Sequence, residues 1–199
     1  MVLPGGAGRV NAPYLAGVIR RSLPELLRAA VVAQAGLGLR VRKLLALRVE
    51  DVDFLRRTVR VQDQVTQARV RTEPKAPRSR RTAPLPGVVA DALSAHLQHH
   101  APGQDGAIFS TGTGRYYVHE QVSRSFASAV RKAGLRTGTT SHAVRHHYAS
   151  VFLAAGESVV AVAERLGQHL LTDSEDRTRR AVDNVWSAPG VPLNGVAGL

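Results

Sequence analysis

His142-Ala143-Val144-Arg145-His146-His147-Tyr148-Ala149-Ser150 is the stretch on which the reading of this chain turns. Written as a helix, it puts His142 and Arg145 on one face, because residues three apart are neighbours on a helix surface. That pair offers an acid/base and a fork of anion donors to a single phosphate. Histidine and arginine on one face also pair for purely structural reasons, so the meaning depends on what the rest of the chain brings beside them. Tyr148, inside the stretch, is the last tyrosine of the sequence.

The surrounding composition favours an anionic partner. The chain has 199 residues, with 27 Lys+Arg against 15 Asp+Glu and a formal net charge of +12. Its only lysines are Lys43, Lys75 and Lys132, so the excess is arginine. Arginine grips phosphate with two parallel donors, which puts nucleic acid ahead of an acidic membrane surface or an acidic protein. No apolar run is long enough to span a membrane, and Met1 to Gly6 lacks the pattern of a signal peptide. With no cysteine, disulfides and thiolate metal sites are excluded. A cytoplasmic, cofactor-free protein facing double-stranded DNA is the expectation.

Periodicity predicts a mixed α/β domain that is mainly α-helical, with a small antiparallel sheet. Residues 1–13 are Gly/Pro-rich and read as a flexible segment; residues 14–186 read as the domain; residues 187–199 read as a disordered tail. Pro24 opens a helix carrying Leu26, Leu27, Ala30 and Val31, punctuated by Gly36 and Gly38. A short helix follows from Arg40 to Val49. Strands are expected at 58–61, 65–71 and 80–85, the last two joined by the basic loop 73–79. Further helices are expected at 87–99, with Val88, Val89, Ala92, Leu93 and Leu97 inward, and at 119–132. The His142 helix should run to Ala155 and be capped by Gly156, and Ser158 should cap a helix over 159–166. A charged helix is expected over 173–186.

Three separated basic elements gain meaning from their order. Gly38-Leu39-Arg40 leads into Leu44-Leu45-Ala46-Leu47; Lys75 lies ahead of Ser79-Arg80-Arg81-Thr82-Ala83-Pro84-Leu85-Pro86; His142 and Arg145 come last. In that order they resemble the tyrosine recombinase (phage integrase) family over about residues 28–186. The turn from Phe109 to Gly114 and the pair Leu166-Gly167 fall where that family places them. The resemblance implies an integrase-type catalytic domain in which a tyrosine attacks a DNA phosphate, leaving a 3′-phosphotyrosine and a free 5′-hydroxyl, with no metal and no cofactor. It assigns Arg40 and Arg145 to the non-bridging oxygens, Lys75 to protonation of the leaving oxygen and His142 to acid/base assistance. Arg78, Arg80, Arg81, Arg115 and Arg124 are expected to contact DNA.

The chain departs from the family in three places. After Leu166-Gly167 the sequence passes through Gln168 to His169-Leu170-Leu171, a stretch like the one the family has just beyond its nucleophile. An internal deletion near 167–169 would remove the nucleophilic tyrosine and the last active-site imidazole, which His169 replaces at best in part. Tyr148 occupies a core-type position, Tyr116 and Tyr117 follow a turn they help to pack or carry to DNA, and Tyr14 lies in the N-terminal segment. Lys43 stands where the family carries a carboxylate, at small cost if solvated and several kcal/mol if buried beside Arg40. Few residues precede Arg40, so binding is expected to rest mostly on salt-sensitive backbone contacts. The histidines at 142, 146 and 147 do not make a zinc site, since Ala143 replaces the glutamate of an H-E-x-x-H motif.

The expectation is thus a DNA-binding recombinase domain unable to cleave DNA alone, acting with other recombinase subunits on DNA. The alternatives are a non-catalytic DNA-binding modulator of an intact recombinase, and a basic protein that binds nucleic acid non-specifically.

Overall fold

A computed structural model describes residues 19–74, 80–135, 139–154 and 156–166. The terminal segments, the helix expected over 173–186 and the 167–169 junction lie outside the described residues, as do Lys75 and Arg78.

Helix α1 (Glu25–Leu37) starts after Pro24 and buries Leu27, Ala30, Val31, Gln34 and Leu37 at helical spacing. It packs against α3 (Gly87–His99) and α5 (Ser141–Ala154). Gly36 lets α1 and α3 close together, since a Cβ there would run into the side chain of Val89. Gly38 ends α1 in the left-handed region, at φ 61°, with its N–H bonded to the Gln34 carbonyl. A Cβ on Gly38 would also lie 2.6 Å from the ring of Tyr148, so this glycine serves both a turn and a close approach.

The helix expected from Arg40 to Val49 is shorter than its sequence suggests. Only α2 (Val41–Leu44) is α-helical, and a 3-10 turn over Val49–Asp51 follows. Leu44, Leu45 and Leu47 are all buried, so tight turns point three neighbouring leucines inward where one helical stripe could not.

Strand β1 (Val52–Asp53) pairs with β2 (Thr58–Val61), which pairs on its other edge with β5 (Arg81–Pro84); both pairings are antiparallel. The single strand expected over 65–71 is instead a hairpin of β3 (Gln64–Val65) and β4 (Arg71–Thr72). Arg69 sits at φ 60° in its turn, where Val70 N–H and carbonyl both meet Thr66. Arg71 holds the hairpin to Asp63 at 2.6 Å and to the buried Asp51 at 3.3 Å. An alternating pattern hides a turn of this kind, because the ion pair that fixes it is remote in sequence.

Helix α3 has the predicted bounds, but Val88 is 65% exposed and His96 is buried, its Nε2–H donating to the Ile108 carbonyl at 2.9 Å. Helix α4 (His119–Lys132) buries Val122, Phe126, Ala129 and Val130 as its spacing requires. Helix α5 ends before Gly156, whose φ is 86°, and Ser158 Oγ caps α6 (Val159–Leu166) by accepting from Ala161 N–H at 3.1 Å. The core falls into a main cluster around Leu27, Leu45, Val59, Leu93 and Phe109 and a smaller one around Phe126 and Val144. Tyr116 is 1% exposed and packs in the main cluster, which settles its role as packing. No helix among the described residues is long and apolar enough to cross a membrane.

Candidate functional site

The C-terminal cap of α1 sets the first residue of the site. Because the chain turns at Gly38, Leu39 drops into the core and Arg40 emerges exposed at the start of α2. The ring of Tyr148, from α5, backs the same glycine. It also packs against Phe152 with centroids 4.6 Å apart, and Arg165 lies 5.0 Å over the Phe152 ring. Burial pushes the Tyr148 phenol above its ordinary value. Tyr148 is therefore a packing residue that wedges α5 against the α1 cap.

His142 and Arg145 are neighbours on α5, yet the structure gives them different surroundings. His142 is exposed, its ring edge-on to His146 at 5.4 Å. Burial of part of the ring, then the charges of His146 and Arg145, hold it below its ordinary value, so it is neutral at pH 7 and can accept a proton. Arg145 is only 4% exposed. One of its terminal nitrogens donates to the Gly38 carbonyl, and the other donates to the Leu166 carbonyl at 2.9 Å. It thereby ties the α1 cap to the end of α6. Burial, reinforced by Arg40 and Arg81, pushes its guanidinium down to about 10, which leaves it charged at neutral pH.

Two further cations complete the cluster. Lys43 is 5% exposed, so it is the buried case of the departure seen in sequence. Burial comes first, then repulsion by Arg81, Arg40 and Arg145, in lowering its ammonium to about 8. Arg81, on β5, faces inward beside its register partner Val61, which is 1% exposed. Burial and Arg40 lower the Arg81 guanidinium, with Tyr148 acting the other way. Among the described residues no carboxylate acts on Arg81 or Arg145. The structure thus gathers Arg40, Lys43, Arg81, Arg145 and His142 around the α1 cap.

The other expected DNA contacts among the described residues are exposed side chains. Arg80 is exposed and pairs with Glu73. Arg115 is exposed at the Thr111–Gly114 turn, and Arg124 is exposed on α4. In the sequence Lys43 stands out only as a departure from the family, and Arg81 is one of the expected DNA contacts. The signal for Arg81 was its place one residue before an outward threonine on a strand, which alternation turns inward. Among the described residues no group of His, Asp and Glu is arranged to hold a metal.

A model of the phage integrase family matches residues 13–171, and the chain belongs to that family. A XerC-like tyrosine recombinase of Caldanaerobacter subterraneus subsp. tengcongensis is 26% identical over 165 residues, covering 71% of this chain and 42% of that protein. The tyrosine recombinase XerD of Mycobacterium leprae is 26% identical over 195 residues, covering 92% and 55%. The chain thus spans about half the length of such relatives. Among solved structures, the Tn1549 transposon integrase in complex with a circular intermediate DNA is similar at a TM-score of 0.73 and 20% identity, over 93% of this chain and 66% of that one. A lambda integrase dimer bound to a core site is similar at 0.65 and 17%, over 96% and 51%. These structures share the mainly helical fold with its small antiparallel sheet.

Proposed function

We propose that this chain is a recombinase-type domain that binds duplex DNA through the cation cluster at the α1 cap and does not cleave it unaided. The observation that carries the reading is the convergence of Arg40, Lys43, Arg81 and Arg145 at the α1 cap, with the whole Arg81 fork unmatched among the described residues. Like charges held together in a partly dry site are costly until an anion enters, so the cluster is built for one. A phosphodiester suits it, since guanidinium forks match two phosphate oxygens. DNA-bound family structures such as the Tn1549 integrase support duplex DNA as its source.

In the family's chemistry Arg40 and Arg145 would steady the charge that grows on the non-bridging oxygens, and Lys75 would protonate the leaving 5′-oxygen. Neutral His142 would move a proton at the same phosphate. The tyrosine nucleophile has no counterpart among the four tyrosines of this chain. Strand exchange would require a tyrosine from another recombinase subunit on the same DNA, in the cytoplasm. Lys43 in place of a carboxylate gives specific weight to the modulator reading: it adds attraction for phosphate while crowding Arg40, which favours holding DNA over turning it over.

Anisotropy titrations of labelled duplex DNA across a salt series test this reading. Arg40→Ala is expected to weaken binding about tenfold and to lower the salt slope by about one unit. Arg124→Ala, at another exposed arginine, is expected to do much less. Equal, modest weakening by every arginine substitution would instead mark a non-specific basic protein.

A further inference from the structure

We infer that Arg81 is itself a ligand of the phosphate the cluster takes, rather than one more exposed DNA contact like Arg80, Arg115 and Arg124. The inference rests on reading the cluster as a phosphate site, and three observations carry it.

The first is the state of the side chain. Nε, Nη1 and Nη2 of Arg81 are all shut off from solvent and have no acceptor among the described residues. Other enclosed arginines differ in kind: Arg71 has Asp51 and Asp63, and Arg145 has two carbonyls. A guanidinium carries five N–H donors, and native interiors rarely leave a whole fork unmatched.

The second is the position. Arg81 stands opposite Val61 on the inner face of the three-stranded sheet, a rigid element rather than a loop. A side chain fixed this way keeps its orientation before any ligand arrives. The third is the company. Arg40 repels it directly, and Arg81 in turn presses on Lys43 and Arg145. Among the described residues, the phenol of Tyr148, packed on Gly38, acts the other way. A dry, unmatched fork among like charges is completed by an oxyanion that accepts two parallel hydrogen bonds, and a phosphate does so.

Free inorganic phosphate and the DNA backbone share this chemistry, and the experiment separates them. Thermal unfolding is followed for the whole chain in sodium chloride and in sodium phosphate at matched ionic strength, and duplex DNA binding is measured alongside. Arg81→Met keeps the bulk and removes the charge, Arg81→Lys keeps the charge without the fork, and Arg40→Ala is the reference. Phosphate is expected to raise the melting temperature of the wild type, and Arg81→Met should lose most of that rise while melting no lower than wild type in chloride. DNA affinity should fall about tenfold in Arg81→Met and by an intermediate factor in Arg81→Lys.

A phosphate response and DNA affinity kept by Arg81→Met but lost by Arg40→Ala would overturn the assignment and leave the DNA reading standing. A drop in melting temperature in chloride, with the phosphate response intact, would make Arg81 a structural residue and also overturn it. A phosphate response without measurable DNA binding by the wild type would remove DNA as the ligand, and with it the reading on which the inference rests.

Discussion

Arg145→Ala is expected to lower the free energy of unfolding by about 3 kcal/mol, although it deletes a charge that its neighbours repel. The guanidinium donates to the carbonyls of Gly38 and Leu166, and the side chain is 4% exposed. Hydrogen bonds from a charged donor contribute about 1.5–3 kcal/mol each, and each abandoned carbonyl loses a partner that water does not readily replace. Relief of repulsion from Arg40 and Arg81 offsets part of that sum. Urea unfolding measures the loss, and hydrogen exchange should show α6 opening first, because Leu166 is one end of the brace. Arg145→Lys should recover less than half, since a single ammonium does not span both carbonyls. A change below about 1 kcal/mol would contradict the brace. This role also separates the two arginines that the family pattern treats alike: a defect in Arg145→Ala mixes folding with phosphate contact, whereas exposed Arg40 reports on the phosphate more cleanly.

The second large effect belongs to Lys43 and has the opposite sign. Its ammonium is lowered from 10.5 to about 8 in the folded chain, chiefly by burial and then by Arg81. Below pH 8 both folded and unfolded states carry the proton, and the folded state bears the full cost. Between about 8 and 10.5 the unfolded state binds more protons than the folded one, so stability rises with pH across that window. The rise from this one group is about 3 kcal/mol. Lys43→Met should therefore be more stable than wild type at pH 7 by about 2 kcal/mol, after allowing for contacts the lysine stem makes. It should also flatten the stability profile between pH 8 and 10.5. Denaturant titrations at several pH values check both. A variant less stable than wild type at pH 7, or one that keeps the alkaline rise, would show that the cost lies elsewhere.

Much of the framework was legible because its signals are local. Pro24 and Gly38 bracket α1, Gly156 and Ser158 punctuate the passage from α5 to α6, and the apolar spacing of α4 matches its buried face. The errors come from interactions between distant residues. The 65–71 segment alternates like a strand, but Arg71 reaches Asp63 and Asp51 and the chain folds back on itself. Val88, expected inward, is exposed, while His96 turns inward to donate to the Ile108 carbonyl. The site divides in the same way. Spacing places His142 and Arg145 on one helix face, but only the fold shows one exposed and the other spent on two carbonyls. The motif order brings Arg40 and Arg145 together and strand alternation turns Arg81 inward, while the enclosure of Lys43 depends on the whole fold and leaves no mark in its own segment.

On the proposed function, the cluster holds DNA while the chain supplies no nucleophile. A nicked suicide duplex, whose cleavage releases a short strand and traps any phosphotyrosine link, measures both at once. The predicted result is retained DNA that denaturing gel electrophoresis frees completely, with retention lost in Arg40→Ala. A protein–DNA adduct that survives denaturation, and disappears on replacing Tyr14, Tyr116, Tyr117 or Tyr148 by phenylalanine, would contradict it.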